Sequence, residues 1–300
     1  MTRVLVIRLG ALGDFALSFP AFAAIRAHHA TDHITLLTTQ PFVSLASDSP
    51  WFDEIRIDTR PSWFNPAGMW RLRAQLHGFG FVYDLQTSRR SSRYFRLAGR
   101  PPWSGIAPGC SHPDSNPDRN ALHTVERQQG QLRDAGITVF PTPALDWLAQ
   151  CGPTLPQPYA LVVPGTSPTH GGAKRWPIDR FAAIATLLAA RGITPVVIGG
   201  ARDAAAAATI RAACPAARDM TGRTTLQELA GIAARAAVTI GGDTGPVHLA
   251  AVAGSPVVAL FSRYSIPAQA APRGPHVVLL QEDVLTDLPV DRVAAAIAAL

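Results

Sequence analysis

Three places in this 300-residue chain combine residue types that could do chemistry. At 243–248 the run Asp-Thr-Gly-Pro-Val-His sets a carboxylate and an imidazole about a helix start. At 174 stands the one lysine among 27 Lys+Arg, inside TSPTHGGAKRWP, a turn rich in glycine and hydroxyls. At 14 an aspartate closes the loop LGALGD. A compact ammonium such as Lys174 suits a diphosphate oxygen as a point charge, although the order G-x-x-x-x-G-K-[ST] of a P-loop is absent. Asp14 reads equally as a helix cap and as a general base at the C-terminal edge of a parallel sheet, where such folds place ligands. Asp203, just past ITPVVIGG, either takes ribose hydroxyls or caps the helix over 203–213. Asp243 and His248 fit an anion site at a helix N-terminus, or an ordinary crossover with a capping Asp and a helix-face His.

A further set is cationic. Arg89, Arg93, Arg96 and Arg100 recur at helical steps of three or four, with Arg90 beside them. The plain reading is a solvated helix face; the sharper one is a patch for phosphates or carboxylates, which match guanidinium forks. Residues 101–120 are rich in Pro, Gly, Ser and Asn and read as a long surface loop flanked by surface histidines His112 and His123.

Positioning these residues requires a particular framework. RVLVIR (3–8), ITLLTT (34–39), EIRIDT (54–59) and FVYDLQ (81–86) read as strands, the first followed by a helix over 15–29. A helix over 69–78, another over 122–135 and a short strand ITVF (137–140) complete the first half. Strands alternating with helices imply parallel βαβ units. The proline-rich stretch 141–158 reads as a linker, which gives domains of 1–150 and 151–300. YALVVPG (159–165) starts the pattern again. At 237–261 the apolar run AVTI is broken by Gly241 and Gly242, Thr244 or Gly245 caps a helix with Pro246 in its first turn, and SPVVALF follows. Such a unit aims free backbone N–H groups beyond the strand end.

Composition bounds the class. The chain is 47% hydrophobic and 16% charged, as expected of a well-buried globular protein. Its net charge of +6 is split evenly, since residues 1–150 carry 15 Arg against 12 acids and 151–300 carry 12 Lys+Arg against 9. Mild positive charge suits anionic ligands or an acidic membrane surface, whereas the even split and lack of an aromatic–basic motif argue against nucleic acid. Three scattered cysteines, Cys110, Cys151 and Cys214, show no metal spacing and fit a reducing compartment. No stretch is long and apolar enough to span a bilayer. The expectation is a cytoplasmic protein with peripheral membrane contact.

The order of motifs resembles glycosyltransferase family 9, the ADP-heptose:lipopolysaccharide heptosyltransferases: G-D-x-x-x-x-x-P at 13–20, K-R-W-P at 174–177 and D-T-G-P-x-H-L-A-A at 243–251. The resemblance implies a GT-B α/β fold, two Rossmann-like domains whose parallel sheets face a central cleft. The first would bind acceptor and the second the nucleotide-sugar donor, with the C-terminal helix free to pack back on the first. It implies Asp14 as catalytic base, and Thr166, Ser167 and Lys174 on the donor diphosphate. It further implies Asp203 on the ribose, Met220 and Thr221 beside the adenine, and Asp243, Thr244, Gly245 and His248 around diphosphate and sugar. Arg89 and Arg93 would meet an anionic glycolipid acceptor. The chain departs from the family at Thr169–Gly172, where the loop is extended, and at Ser262-Arg263-Tyr264, where Gly-Pro-Thr is expected.

The implied reaction is an inverting displacement that moves a heptose or related sugar from an ADP-sugar to a lipopolysaccharide-core-type glycan. Asp14 would take the acceptor proton, while Lys174 and the helix N-terminus at 244–247 stabilise the leaving diphosphate. The chain has no Asp-x-Asp, so the expectation is an ADP-sugar co-substrate and no metal. A nucleotide-sugar epimerase or hydrolase of the same fold, or a non-catalytic sugar-nucleotide-binding protein, would use many of the same residues.

Overall fold

The computed structural model describes residues 1–166 and 174–300. The chain forms two compact units, Met1–Ala144 and Leu145–Leu300. The break falls at 144/145, ahead of the 150/151 boundary read from the prolines. The helix Asp146–Ala149 belongs to the second unit because it buries Leu148 there, against the helix Leu226–Ala234. Gly231 permits that approach, since a Cβ there would sit 1.9 Å from the Cys151 carbonyl oxygen.

The first unit contains β1 (Arg3–Ile7), β2 (His33–Thr38), β3 (Glu54–Ile57), β4 (Phe81–Asp84), β5 (Trp103–Gly105) and β6 (His112–Pro113). They pair in the order β3-β2-β1-β4-β5-β6, and every pairing is parallel. The second unit contains β7 (Tyr159–Val163), β8 (Thr194–Val197), β9 (Arg218–Asp219), β10 (Val238–Gly242), β11 (Val257–Phe261) and β12 (Val277–Gln281). Its order, β12-β11-β10-β7-β8-β9, is the same winding again. Helices cover both faces of such sheets, so central strands are buried on both sides and read as unbroken apolar runs. That is why RVLVI, YALVV and VVALF were legible. Strand order reverses between β1 and β4 and between β7 and β10, and ligands of doubly wound folds bind beyond the carboxyl ends at such points.

Several local expectations change. The helix over 15–29 is two helices, Leu12–Ala16 and Phe19–His28. Pro20 falls in the first turn of the second, where its missing N–H costs nothing but cannot continue a helix from before. The stretch 101–120 is not simply a loop: Trp103, fully buried, anchors β5, and Asp114 N–H bonds the Gly105 carbonyl. His123 is buried, not a surface residue, and caps the helix Thr124–Asp134 by accepting from Val125 N–H. ITVF forms no strand; Ile137 alone is buried while Val139 is exposed. Gly241 lies inside β10 and Gly242 is its last residue, so the strand runs through the first glycine. A Cβ on Gly241 would meet Val247 Cγ2 at 2.7 Å and Val163 Cβ at 2.8 Å, so glycine is what lets the following helix close on the sheet. The C-terminal helix, Val290–Ala298, packs in its own unit, with Val293 and Ala296 in the core that also holds Phe181 and Ile184. Among the described residues no helix is long and apolar enough to cross a membrane.

Candidate active site

In the first unit the reversal point gathers charge. β1 delivers Arg8 and then the loop to Asp14; β4 ends at Asp84. Arg8 is buried, donates from one terminal nitrogen to the Leu85 carbonyl at 2.6 Å, and sets the other 3.4 Å from Asp14 Oδ1. Asp14 is not the cap of its helix. The N-cap is Ala11 and makes no side-chain bond, while Asp14 lies in the first turn with its carboxylate toward Arg8. Ser18 Oγ donates to the Asp14 carbonyl at 2.7 Å, and Gln128 Nε2 donates to Ser18 at 2.8 Å, which fixes the turn.

Asp84 is fully buried, accepting from the N–H groups of Gln86 and Thr87 at 3.1 Å on Oδ1 while Oδ2 has no partner. Burial pushes its carboxyl up to about 7, against the nearby Ser91 hydroxyl, those two N–H groups and Arg8. Burial also lowers the Arg8 guanidinium from its usual range, opposed by Asp14. Neither Arg8 nor Asp84 stood out in the sequence as a site residue. The available signal was a charged residue at the end of each of two otherwise apolar strands.

In the second unit a tighter cluster stands beyond β10. Lys174 Nζ donates to Asp243 Oδ2 at 3.1 Å, Ser265 Oγ donates to the same oxygen at 2.7 Å, and His248 Nε2 lies 3.2 Å from Oδ1. Burial alone would raise the Asp243 carboxyl; the bonds from His248, Ser265 and Lys174 override it and hold the group far below the usual carboxylate range. Asp243 is therefore a fixed anion to which three donors are tied. His248 is itself buried, with Nδ1 unpartnered. Ser265 was missed because its partner is 22 residues away and no spacing rule links them.

The helix after Asp243 is Gly245–Val252, with Thr244 as an N-cap whose side chain makes no capping bond. Its donors are less free than the sequence suggested. Pro246 has no N–H, and those of Val247 and His248 return to the Thr244 carbonyl at 3.0 and 3.3 Å. Lys174 and the helix dipole, rather than a set of open amides, supply positive charge here.

Thr166, Asp203 and the pair Met220–Thr221 follow the carboxyl ends of β7, β8 and β9 respectively. Thr166 accepts from Arg175 Nε at 3.4 Å and borders Gly242. Ser167 and the extension Thr169–Gly172 lie outside the described residues. Asp203 accepts from Gly200 N–H at 2.8 Å and is wedged against two glycines, since a Cβ on Gly165 or Gly199 would come within 2.5 Å of its carboxylate. It is also the N-cap of Ala204–Ala213, though its side chain makes no capping bond to that helix. Thr221 is buried, with N–H and hydroxyl both on Asp219 Oδ1, and Met220 lines a pocket of about 460 Å³ with Arg218 and Arg223. Arg89 and Arg93 are exposed on the helix Arg89–Leu97, Arg93 with its guanidinium 5.1 Å from the Trp63 ring centre. Among the described residues no group of three His, Cys, Asp or Glu side chains is placed to hold a metal ion.

The model of glycosyltransferase family 9 (heptosyltransferase) matches residues 69–284, well over half of the chain and including both the Lys174 turn and the Asp243–His248 cluster. The chain belongs to glycosyltransferase family 9. A curated relative, lipooligosaccharide heptosyltransferase 2 of Haemophilus influenzae, is 31% identical over 96 residues, 30% of this chain and 28% of that protein. The matched stretch thus spans under a third of that relative's length. Among solved structures, ADP-heptose lps heptosyltransferase II of E. coli superposes with a TM-score of 0.81 at 21% identity over 99% of this chain and 98% of that one. E. coli heptosyltransferase WaaC with ADP gives 0.84 at 20% identity, covering 99% of both chains. At these identities the likeness shows the fold, and the fold of this family 9 member is GT-B, an α/β pair of Rossmann-like domains.

Proposed function

We propose that this family 9 protein is an inverting glycosyltransferase that moves a heptose, or a closely related sugar, from an ADP-sugar to a lipopolysaccharide-core-type glycan. The observation that carries the reading is the Lys174–Asp243–His248 cluster at the carboxyl end of β10, within the family's matched residues. The relatives named for ADP-heptose or solved with ADP support the donor.

In this reading the second domain binds donor. Lys174 turns from Asp243 to the diphosphate, and Thr166 and Ser167 add hydroxyl donors. Asp203 takes the ribose, Met220 and Thr221 border the adenine, and Thr244, Gly245 and His248 close around phosphate and sugar. The first domain binds acceptor, with Arg89 and Arg93 toward an anionic glycolipid, at the cytoplasmic face of the inner membrane. Asp14 removes the proton of the acceptor hydroxyl. That oxygen attacks the anomeric carbon, the bond to the diphosphate breaks, and ADP leaves with charge taken up by Lys174 and the helix dipole. The chain's lack of Asp-x-Asp supports a reaction without a protein-held divalent metal.

The test is a thermal-shift screen of ADP-, UDP- and GDP-sugars, since a ligand bound only by the folded state raises apparent stability, followed by product analysis with the best donor and a core-oligosaccharide acceptor in the presence and absence of EDTA. Stabilisation by ADP-heptose and formation of a glycan product are expected. Release of free sugar or an epimer, with no glycan product, would instead assign an epimerase or hydrolase. Loss of turnover in EDTA, restored by magnesium, would overturn the metal-free mechanism.

A further inference from the structure

The first unit carries a surface of which the proposed transfer uses only Arg89 and Arg93. Between residues 59 and 113 the sequence holds eight arginines and a single carboxylate, Asp84. Asp84 is fully buried, and the carboxylates that flank the stretch, Asp58 and Asp114, are buried as well. No acid within the stretch offsets its arginines at the surface. The helices Pro66–Leu76 and Arg89–Leu97 pack side by side, sharing one core through Leu72, Leu76, Tyr94 and Phe95. Arg71 and Arg73 are exposed on the first, Arg93 and Arg96 on the second.

Large aromatics stand out among these cations. Phe64 is 96% exposed and Trp70 71% exposed. Trp63, beside Phe64, is tied down: the guanidinium groups of Arg90 and Arg93 lie 5.2 and 5.1 Å from its ring centre. Arg90 also donates to the Pro61 carbonyl at 2.8 Å, which fastens the 61–64 turn to the second helix. Two bare aromatic side chains on a fastened turn and on a helix that also exposes Arg71 and Arg73 cost solvation in water but match a bilayer interface. There aromatic rings sit at headgroup level and basic residues meet anionic lipid.

We propose that this face docks on an anionic lipid bilayer, with Phe64 and Trp70 entering the interface and the arginines on the two helices contacting headgroup phosphates. The proposal extends the reading of a glycolipid acceptor, which the same bilayer would present.

The test is co-sedimentation of the full chain with vesicles of phosphatidylcholine alone or mixed with phosphatidylglycerol. Two double variants are compared, Phe64→Ser/Trp70→Ser and Arg71→Glu/Arg73→Glu, each checked for an unchanged melting temperature. Binding only to the phosphatidylglycerol vesicles, weakened by salt, is expected. The aromatic pair should lower partitioning about tenfold or more, and the arginine pair roughly 25-fold or more, at about fivefold per basic charge lost. Transfer to a delipidated core oligosaccharide should be the same in both variants as in the parent. No vesicle binding by the parent, or binding that neither variant weakens, overturns the docking proposal. So does binding of an RNA oligonucleotide, but not vesicles, that both variants abolish. Vesicle binding without any transfer from ADP-heptose would uphold the docking surface and remove the transferase reading, so the two fail separately.

Discussion

Arg8 and Asp14 form an unequal pair: the guanidinium is 2% exposed and the carboxylate 43%, with 3.4 Å between Nη2 and Oδ1. The buried partner acts as a fixed peg, held at its other end by the Leu85 carbonyl. The exposed partner is left free to meet a substrate from one side. The proposed general base must be aimed as well as ionised, and the peg aims it.

The inequality predicts the effect of Arg8→Met. Asp14 can rehydrate once the guanidinium is gone, so no charge is stranded there, and an apolar side chain replaces a poorly bonded buried cation. The Leu85 carbonyl loses its donor, a cost of about 1–3 kcal/mol. The melting temperature should therefore fall by several degrees and ADP affinity should hold, while kcat falls by about tenfold or more as Asp14 loses its orientation. Stopped-flow or steady-state turnover beside calorimetric ADP binding checks this, and a mutant with parental kcat would show that the pairing has no part in the chemistry.

Asp84 predicts a pH dependence. Its carboxyl titrates at about 7 in the folded chain and near roughly 3.9 when unfolded. The folded state therefore binds more protons across that interval, and by linkage stability falls as pH rises from about 4 to about 7 and then levels. Asp84→Asn keeps an acceptor for the Gln86 and Thr87 N–H groups and cannot ionise. Melting temperatures measured from pH 5 to pH 8 should fall less steeply in the variant than in the parent. Parallel curves would mean that Asp84 is not protonated at the lower pH.

How legible all this was in the sequence depended on the range of the interaction. Strands buried on both faces announce themselves as apolar runs, so β1, β7, β10 and β11 could be read directly. β5 could not, because three residues are too few to show a pattern and Trp103 is hidden among Pro, Gly and Ser. Asp243 and His248 are five apart and on one helix start, so their meeting was readable. Lys174 with Asp243 is 69 residues apart and Ser265 with Asp243 is 22, and only strand order brings them together. The lysine was noticed for its rarity, whereas the serine had nothing to mark it. For Asp14 the sequence left a helix cap and a general base equally open, because a carboxylate near a helix start is often a cap; the N-cap is Ala11 instead. The partner of Asp14, a buried arginine, is visible only in three dimensions.

Lys174→Ala should weaken ADP binding. A lost charge-assisted hydrogen bond is worth about 1.5–3 kcal/mol, or roughly ten- to a hundredfold in affinity. The structure adds a control. Lys174 is one of three donors to Asp243, so the mutation also leaves that carboxylate less compensated, and a bare loss of binding could reflect the anion repelling a phosphate. Lys174→Ala/Asp243→Asn removes both charges. If the double variant recovers no more than part of the lost affinity, the lysine binds phosphate directly. Full recovery would reduce its role to neutralising Asp243, and unchanged ADP affinity in the single variant would take it out of the site.

Asp14→Asn separates a transferase from a protein that only binds sugar nucleotides. The side chain keeps its size, and since Ala11 rather than Asp14 is the N-cap, no capping bond is lost. What is lost is the charge beside Arg8, a buried cation whose other close carboxylate, Asp84, is raised to about 7. A lower melting temperature is therefore expected, by about 2–4 °C for each kcal/mol of lost stability, the usual conversion for chains somewhat smaller than this one. Folding and ADP affinity should survive that shift. Turnover should not: removing a general base typically costs about 10²–10⁴ in rate. The decisive measurement is kcat with saturating donor and acceptor, at a temperature well below the variant's melting point, beside its ADP affinity. A binding module would show no turnover in either form. A transferase whose base lies elsewhere would keep parental kcat in the variant. Only loss of turnover with donor binding intact assigns the proton transfer to Asp14.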